Sequence, residues 1–142
     1  MSLHDPVALS RAYFDAWNRR DLDAVMATFA PGGTYRDPFT VQAIGGEPLK
    51  GFAAAMFGGL PDLSFAYGGP FPVSATVAHV PWVLEGHQTG PFNEMPPSGR
   101  AVRLEGIDVV EVGPGGITQV VGYYDSATFL RCLGLNLVPQ PA

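Results

Sequence analysis

The run Arg103–Val112, RLEGIDVVEV, alternates strictly. Arg103, Glu105, Ile107, Val109 and Glu111 fall on one face, and Leu104, Gly106, Asp108, Val110 and Val112 on the other. A strand of this parity turns its charged face to water and lays the other on a core, so the chain must build a half-covered sheet. Asp108 is the exception on the apolar face. A carboxylate among Leu and Val is costly unless it is paired, hydrogen-bonded or wet. Two readings stand side by side: a group that lines a pocket, or an Asp satisfied by backbone or a neighbouring strand.

The rest of the chain supplies the cover. Asp5-Pro6 predicts a helix start, with a capping oxygen followed by proline at the first helical position. Leu9, Tyr13, Ala16 and Trp17 then recur at helical spacing. Asp21 opens a second helix with Leu22, Val25, Met26 and Phe29 on one side, ended by Pro31-Gly32-Gly33. Thr34–Phe39 reads as a short strand with Tyr35, Asp37 and Phe39 on one face, a second carboxylate on an aromatic parity, although Asp37-Pro38 also suits a turn. Pro48 opens a third helix through Leu49, Phe52 and Met56, stopped by Gly58-Gly59 and Pro61.

Asp62–Tyr67 and Val73–Gly86 read as strands separated by Gly68-Gly69-Pro70. In the second, Ala78, Val80, Trp82 and Leu84 share one face, with His79, Pro81, Glu85 and His87 on the other. Pro81 cannot donate to a ladder, which predicts a bulge or an edge there. Val102–Val112 pairs with Ile117–Tyr124 through Gly113-Pro114-Gly115-Gly116. Asp125 or Ser126 caps a last helix that buries Phe129, Leu130 and Leu133, and Gly134 closes it. The apolar, Pro-rich tail Leu135–Ala142 is expected to pack on the surface or on a partner. Helices ahead of a run of antiparallel strands predict an α+β fold: a curved, mainly antiparallel sheet wrapped around three N-terminal helices, plus a short C-terminal helix. No repeat or linker divides the 142 residues, so one domain is expected over 1–142.

Composition narrows the function classes. A formal net charge of -5 argues against nucleic acid, which selects a basic face. No apolar run approaches the roughly 18 residues that cross a membrane. The opening MSLHDPVALSR lacks the basic and apolar segments of a secretory signal, and a single cysteine, Cys132, suits a reducing compartment; a cytoplasmic location is expected. No metal is expected. His79 and His87 lie about 26 Å apart along one strand at about 3.3 Å per residue, His4 precedes the first helix, and no Cys/His cluster exists. Cys132 has no paired His and reads as filler.

The segment Gly86…Thr89-Gly90-Pro91-Phe92…Met95-Pro96-Pro97-Ser98-Gly99-Arg100…Gly106-Ile107-Asp108-Val109 resembles the SnoaL-like polyketide cyclases, within the nuclear transport factor 2-like fold. The start Tyr13-Phe14-Asp15-Ala16-Trp17-Asn18, then Asp21-Leu22-Asp23, and the close Asp125…Leu130-Arg131…Leu133-Gly134-Leu135 fit the same family. The resemblance implies a cone of three helices inside a curved sheet, a pocket at its open end, and a homodimer through the outer sheet face. Characterised cyclases of the family close a polyketide ring by an intramolecular aldol step without metal or cofactor. Their acid/base aspartate, in the last strand three positions before the Asp that leads into the final helix, falls here on Gly122. An assisting histidine falls on Asp108, and a pocket asparagine on Asp37.

Two carboxylates on apolar faces push each other's pKa apart, leaving one protonated donor and one ionised base. Ketosteroid isomerase works in this way, with an Asp base, a Tyr and a protonated Asp. Asp108 and Asp37 are therefore the candidate acid/base pair and Tyr123 a candidate catalytic phenol, with Tyr35 as the other phenol available. Tyr13, Trp17, Tyr35, Phe39 and Trp82 are candidate walls for a small hydrophobic, ring-containing or polyketide-like ligand. The expected function is a cofactor-free isomerase, cyclase or hydratase. The alternatives are a ligand-binding module without turnover, which Gly122 favours, or a dimeric interaction domain.

Overall fold

The computed structural model describes residues 5–136 and 138–141; His4 and two positions of the tail lie outside the described residues. Helix α1 (Pro6–Arg19) starts where the Asp5 carboxylate accepts from the Val7 and Ala8 amides, and it ends at Arg20 in a left-handed conformation. Helix α2 (Leu22–Ala27) is capped by Asp21. It is shorter than its hydrophobic spacing predicts. Phe29 already belongs to strand β1 (Phe29–Arg36), and Pro31-Gly32-Gly33 lies inside that strand. The reason is pairing. β1 runs beside strand β6 (Gly116–Tyr124), matching Phe29 to Ile117 and then Thr34 to Gln119 after a register shift. Gly33 is required at the shift, because a β-carbon there would sit 2.5 Å from the Ile117 carbonyl oxygen.

Helix α3 (Gly46–Gly59) begins two residues before Pro48, which sits in its first turn where no amide is needed. Strands β2 (Ser64–Tyr67), β3 (Phe71–Pro72), β4 (Val77–His87) and β5 (Ala101–Gly113) follow, then β6 and helix α4 (Ser126–Cys132), capped by Asp125. The sheet order is β1-β6-β5-β4-β2, with β3 also pairing β4. Only β1–β6 is parallel; the other pairs are antiparallel. Pro81 is neither bulged nor on an edge. It holds register with Ile107 of β5, and its missing donor falls where the neighbour on the other side breaks between β2 and β3. There its carbonyl still accepts from Gly68.

Leu9, Tyr13, Phe14 and Trp17 of α1 pack into the concave face of the sheet, against a core that includes Val80, Trp82, Leu84, Leu104 and Val110. Each such side chain, fully buried, contributes about 1.5–3 kcal/mol. Gly106 makes room for one of them: a β-carbon there would overlap the Trp82 indole of the paired strand. In the described part of the tail Leu135 and Val138 are exposed, so of the two expectations, packing on the chain's own surface or on a partner, the first is not met at these residues. Among the described residues no helix is long and apolar enough to cross a membrane.

Candidate active site

The inner face of β5 delivers Asp108 to the middle of the sheet, directly opposite Gly122 on β6 and Val80 on β4. The carboxyl is only 6 % exposed. Its Oδ1 accepts from the Trp82 indole Nε1 at 3.0 Å. Its Oδ2 has no hydrogen-bond partner among the described residues, yet it is not among the sealed, unpartnered atoms. That oxygen faces free space. Burial pushes the carboxyl up to about 7, the Trp82 N–H opposing and the Asp37 charge adding to the shift.

Asp37 stands just beyond the end of β1, 4 % exposed. Both sequence readings of it meet here. Its Oδ1 accepts from the Phe39 and Thr40 amides at 2.7 and 2.9 Å, which is the side-chain turn expected of Asp-Pro. Its Oδ2 accepts from the Tyr35 hydroxyl at 2.6 Å inside the cavity.

Gly122 explains how two acids share this space. A β-carbon at that position would lie 3.0 Å from Asp108 Oδ1, and 3.5 Å from both the Asp37 β-carbon and the Tyr35 hydroxyl. The three groups converge on one point, and the absence of a side chain on β6 leaves it open. The position that the family resemblance assigns to a carboxylate is therefore faced, across the hydrogen-bonded strand pair, by the carboxylate of Asp108.

The cavity between α1, α3 and the sheet is lined by Asp37, Asp108 and the expected Tyr13, Trp17, Tyr35, Phe39 and Trp82. Its free space is about 40 Å³, room for about three water molecules at about 10–15 Å³ each. Among the described residues no Lys, Arg or His lines it, so no cation among them compensates an anionic ligand. Tyr13 is held neutral, its hydroxyl pushed well up by burial and then by Asp108. Tyr35 is held neutral too, by burial and then by Asp37. Both phenols are therefore proton-bearing at neutral pH.

Tyr123 is a correction. It is 52 % exposed and does not line the cavity. The phenol that does is Tyr124, whose hydroxyl is pushed up by burial and by the adjacent Asp37 carboxylate. Side chains alternate along a strand, so Tyr124 shares the inward parity of Gly122 and Tyr123 points away. That signal was present in the sequence once Gly122 was placed inward. Phe52, Phe65, Phe92 and Phe129 also line the cavity. Phe92 comes from an irregular connection, where no periodicity could mark it. Among the described residues no three His, Cys, Asp or Glu side chains cluster to hold a metal ion.

A SnoaL-like polyketide cyclase of Jannaschia sp. CCS1, itself a proposed assignment, superposes with TM-score 0.82 at 24% identity, covering 96% of this chain and 98% of that one. IdmH of Streptomyces antibioticus, a proposed polyketide cyclase, gives TM-score 0.76 at 21% identity over 93% of this chain and 100% of its own. AclR of Streptomyces galilaeus, a proposed hydroxylase, gives 0.81 at 18% identity, over 98% and 87%. At these identities the likeness shows the shared fold, and one fold carries differently named activities. No curated protein matches the sequence. The sequence profile of the SnoaL-like polyketide cyclases matches residues 7–133. The chain belongs to the SnoaL-like polyketide cyclase family.

Proposed function

We propose that this protein is a cofactor-free acid/base enzyme of cyclase or isomerase type, acting on a small, uncharged, hydrophobic molecule that carries a ring or a polyketide-like chain. One observation carries the reading: Asp108 sits in an aromatic cavity with one oxygen fixed by Trp82 and the other unpartnered, at a pKa near neutrality. A general base works best when its pKa lies near the working pH.

In the reaction proposed, ionised Asp108 removes a proton from a carbon beside a substrate carbonyl. The C–H electron pair moves into the carbonyl, and the resulting enolate oxygen takes a hydrogen bond from a neutral phenol, Tyr13 or Tyr124. The enolate carbon then attacks a second carbonyl of the same molecule, closing a ring, while that carbonyl's π pair moves to its oxygen and the alkoxide takes the proton back from Asp108. Otherwise Asp108 returns the proton at another carbon, giving an isomer. Asp37 acts differently from the sequence expectation. Its oxygens already accept from two amides and Tyr35, so its role is to orient the phenols. The cyclase names of the structural neighbours and the family membership support this class of chemistry. Gly122 favours a binding module less once Asp108 lies opposite it.

A homodimer through the outer sheet face is also proposed. Half-buried Val83, Ile107 and Val109 and exposed Tyr123 on that face support it; sedimentation at micromolar concentration distinguishes dimer from monomer.

The test is deuterium exchange at the carbons beside the carbonyl of 2-tetralone, followed by NMR in D₂O. Wild type should accelerate it, and Asp108→Asn should lose about 10²–10⁴-fold of that acceleration while remaining folded. Wild-type exchange no faster than buffer, together with no activity on linear polyketone substrates, would falsify the proposal in favour of a binding module.

A further inference from the structure

From Pro91 to Arg100 the connection between β4 and β5 is exposed except at two residues, buried Phe92 and half-buried Met95. Its root is Gln88, buried, whose side-chain amide donates to the Gly90 and Pro96 carbonyls at 3.0 and 3.1 Å and accepts from the Ser98 amide at 3.0 Å. Its tip is a two-residue turn. Phe92 and Met95 exchange backbone hydrogen bonds of 3.0 and 2.8 Å, with Asn93 and Glu94 at φ 45 and 67. Both central residues are left-handed, a geometry that favours Asn-Gly, and Glu94 carries strain where glycine would not.

The buried Phe92 ring is the main hold of this tip on the body, with half-buried Met95 packed beside the core. The Phe92 ring stacks on Phe129 at 5.7 Å and 27°, and meets Phe39 edge-on at 6.2 Å and 88°. Gly59 at the end of α3 permits its approach, since a β-carbon there would lie 3.0 Å from the Phe92 β-carbon. A segment held by one buried ring and one half-buried Met, with its other residues exposed, belongs to the less stable part of a fold, and opening it exposes little else. The free space beside that ring, about 40 Å³, is well below the roughly 150 Å³ that admits a benzene molecule. A ring-bearing ligand therefore needs volume that a side chain now fills, and Phe92 is the lining residue whose segment is cheapest to move.

We propose that Phe92 is a built-in occupant of an aromatic site against the touching pair Phe39 and Phe129, whose rings meet at 5.2 Å, and that an uncharged ligand bearing a six-membered aromatic ring binds by displacing it as the tip lifts about Gln88. This rests on the reading of the cavity as a ligand site and adds the class of group it takes. The stacked and edge-on contacts now offered to a phenyl ring are the contacts that a ligand ring of the same size would receive.

The experiment is phenol binding at pH 7 by calorimetry. Phe92→Ala has no ring to displace and should bind phenol about tenfold more tightly than wild type, or better. In its crystals phenol should lie where the Phe92 ring was, against both Phe39 and Phe129. Gln88→Ala keeps the ring but loosens the root; its affinity should rise by a smaller factor, with faster amide exchange at 91–98. Phenol binding is read without any turnover assay, so failure of the catalytic reading and failure of the displaced-ring site are read separately. Equal affinity in wild type and Phe92→Ala, or phenol bound elsewhere, overturns the proposal. If Phe92→Ala fails to fold, Gln88→Ala decides: a raised affinity supports the site and an unchanged one overturns it.

Discussion

The end of β1 and the middle of β5 each place one aspartate in the same cavity, and the two environments treat it in opposite ways. Asp37 leaves its strand at a turn, where two amides and the Tyr35 hydroxyl satisfy it. Asp108 stays within a regular strand whose amides and carbonyls are committed to neighbours, so no backbone donor reaches its side chain and one indole N–H is all it receives. A carboxylate surrounded by donors is held in place by them. One with a single donor and an open oxygen is a group that can exchange a proton. The number of donors, more than depth of burial, separates the orienting acid from the reacting one.

The sharpest break of this comparison is pH. The folded value of Asp108 lies above its ordinary 3.8, near 7, so the native state holds that proton more tightly than the unfolded chain does. Its contribution to stability is complete below about pH 4 and is lost as pH rises through about 7. Asp108→Asn, which keeps an oxygen for Trp82, should therefore be more stable than wild type by about 2–4 kcal/mol at pH 8. The two should converge near pH 4, as measured by denaturant melts. If Asp108 is the base, activity on any substrate should also rise with pH through about 7; a fall over that range would make it the acid.

Asp37→Asn should move the other way. It removes the charge that the Tyr35 hydroxyl and two amides address, and should cost about 1.5–3 kcal/mol at pH 7. A gain in stability there would erase the distinction between the two acids. Gly122→Ala tests their shared space: its β-carbon presses on Asp108 Oδ1, and the strain should cost about 1–3 kcal/mol and lower activity more than an equally destabilising change far from the cavity. Tyr124→Phe should reduce turnover about tenfold by removing one phenol, whereas Tyr123→Phe, exposed on the other face, should change nothing measurable.

Much of this was written in local pattern. The alternation around Asp108, the capping aspartates Asp5, Asp21 and Asp125, and the family segment ending in Gly106-Ile107-Asp108-Val109 led to an α+β sheet over helices and to the correct inward face of β5. These signals are local because side-chain parity and helix capping depend on neighbours within a few residues. The short α2 and the early start of β1 were less legible, since a parallel partner some ninety positions away captured Phe29 from a helical pattern.

By itself the sequence determined which residues face inward along β4 and β5, and that Asp108 is the acid among them. Only the tertiary structure decided that Asp108 and Gly122 stand opposite one another, that Asp37 and Tyr35 converge on the same point, and that Phe92 fills the cavity from a connection without periodicity. Register between strands and the path of a loop are set by contacts among residues far apart in the chain. The chemistry of a buried carboxyl depends on the donors that those contacts bring to it.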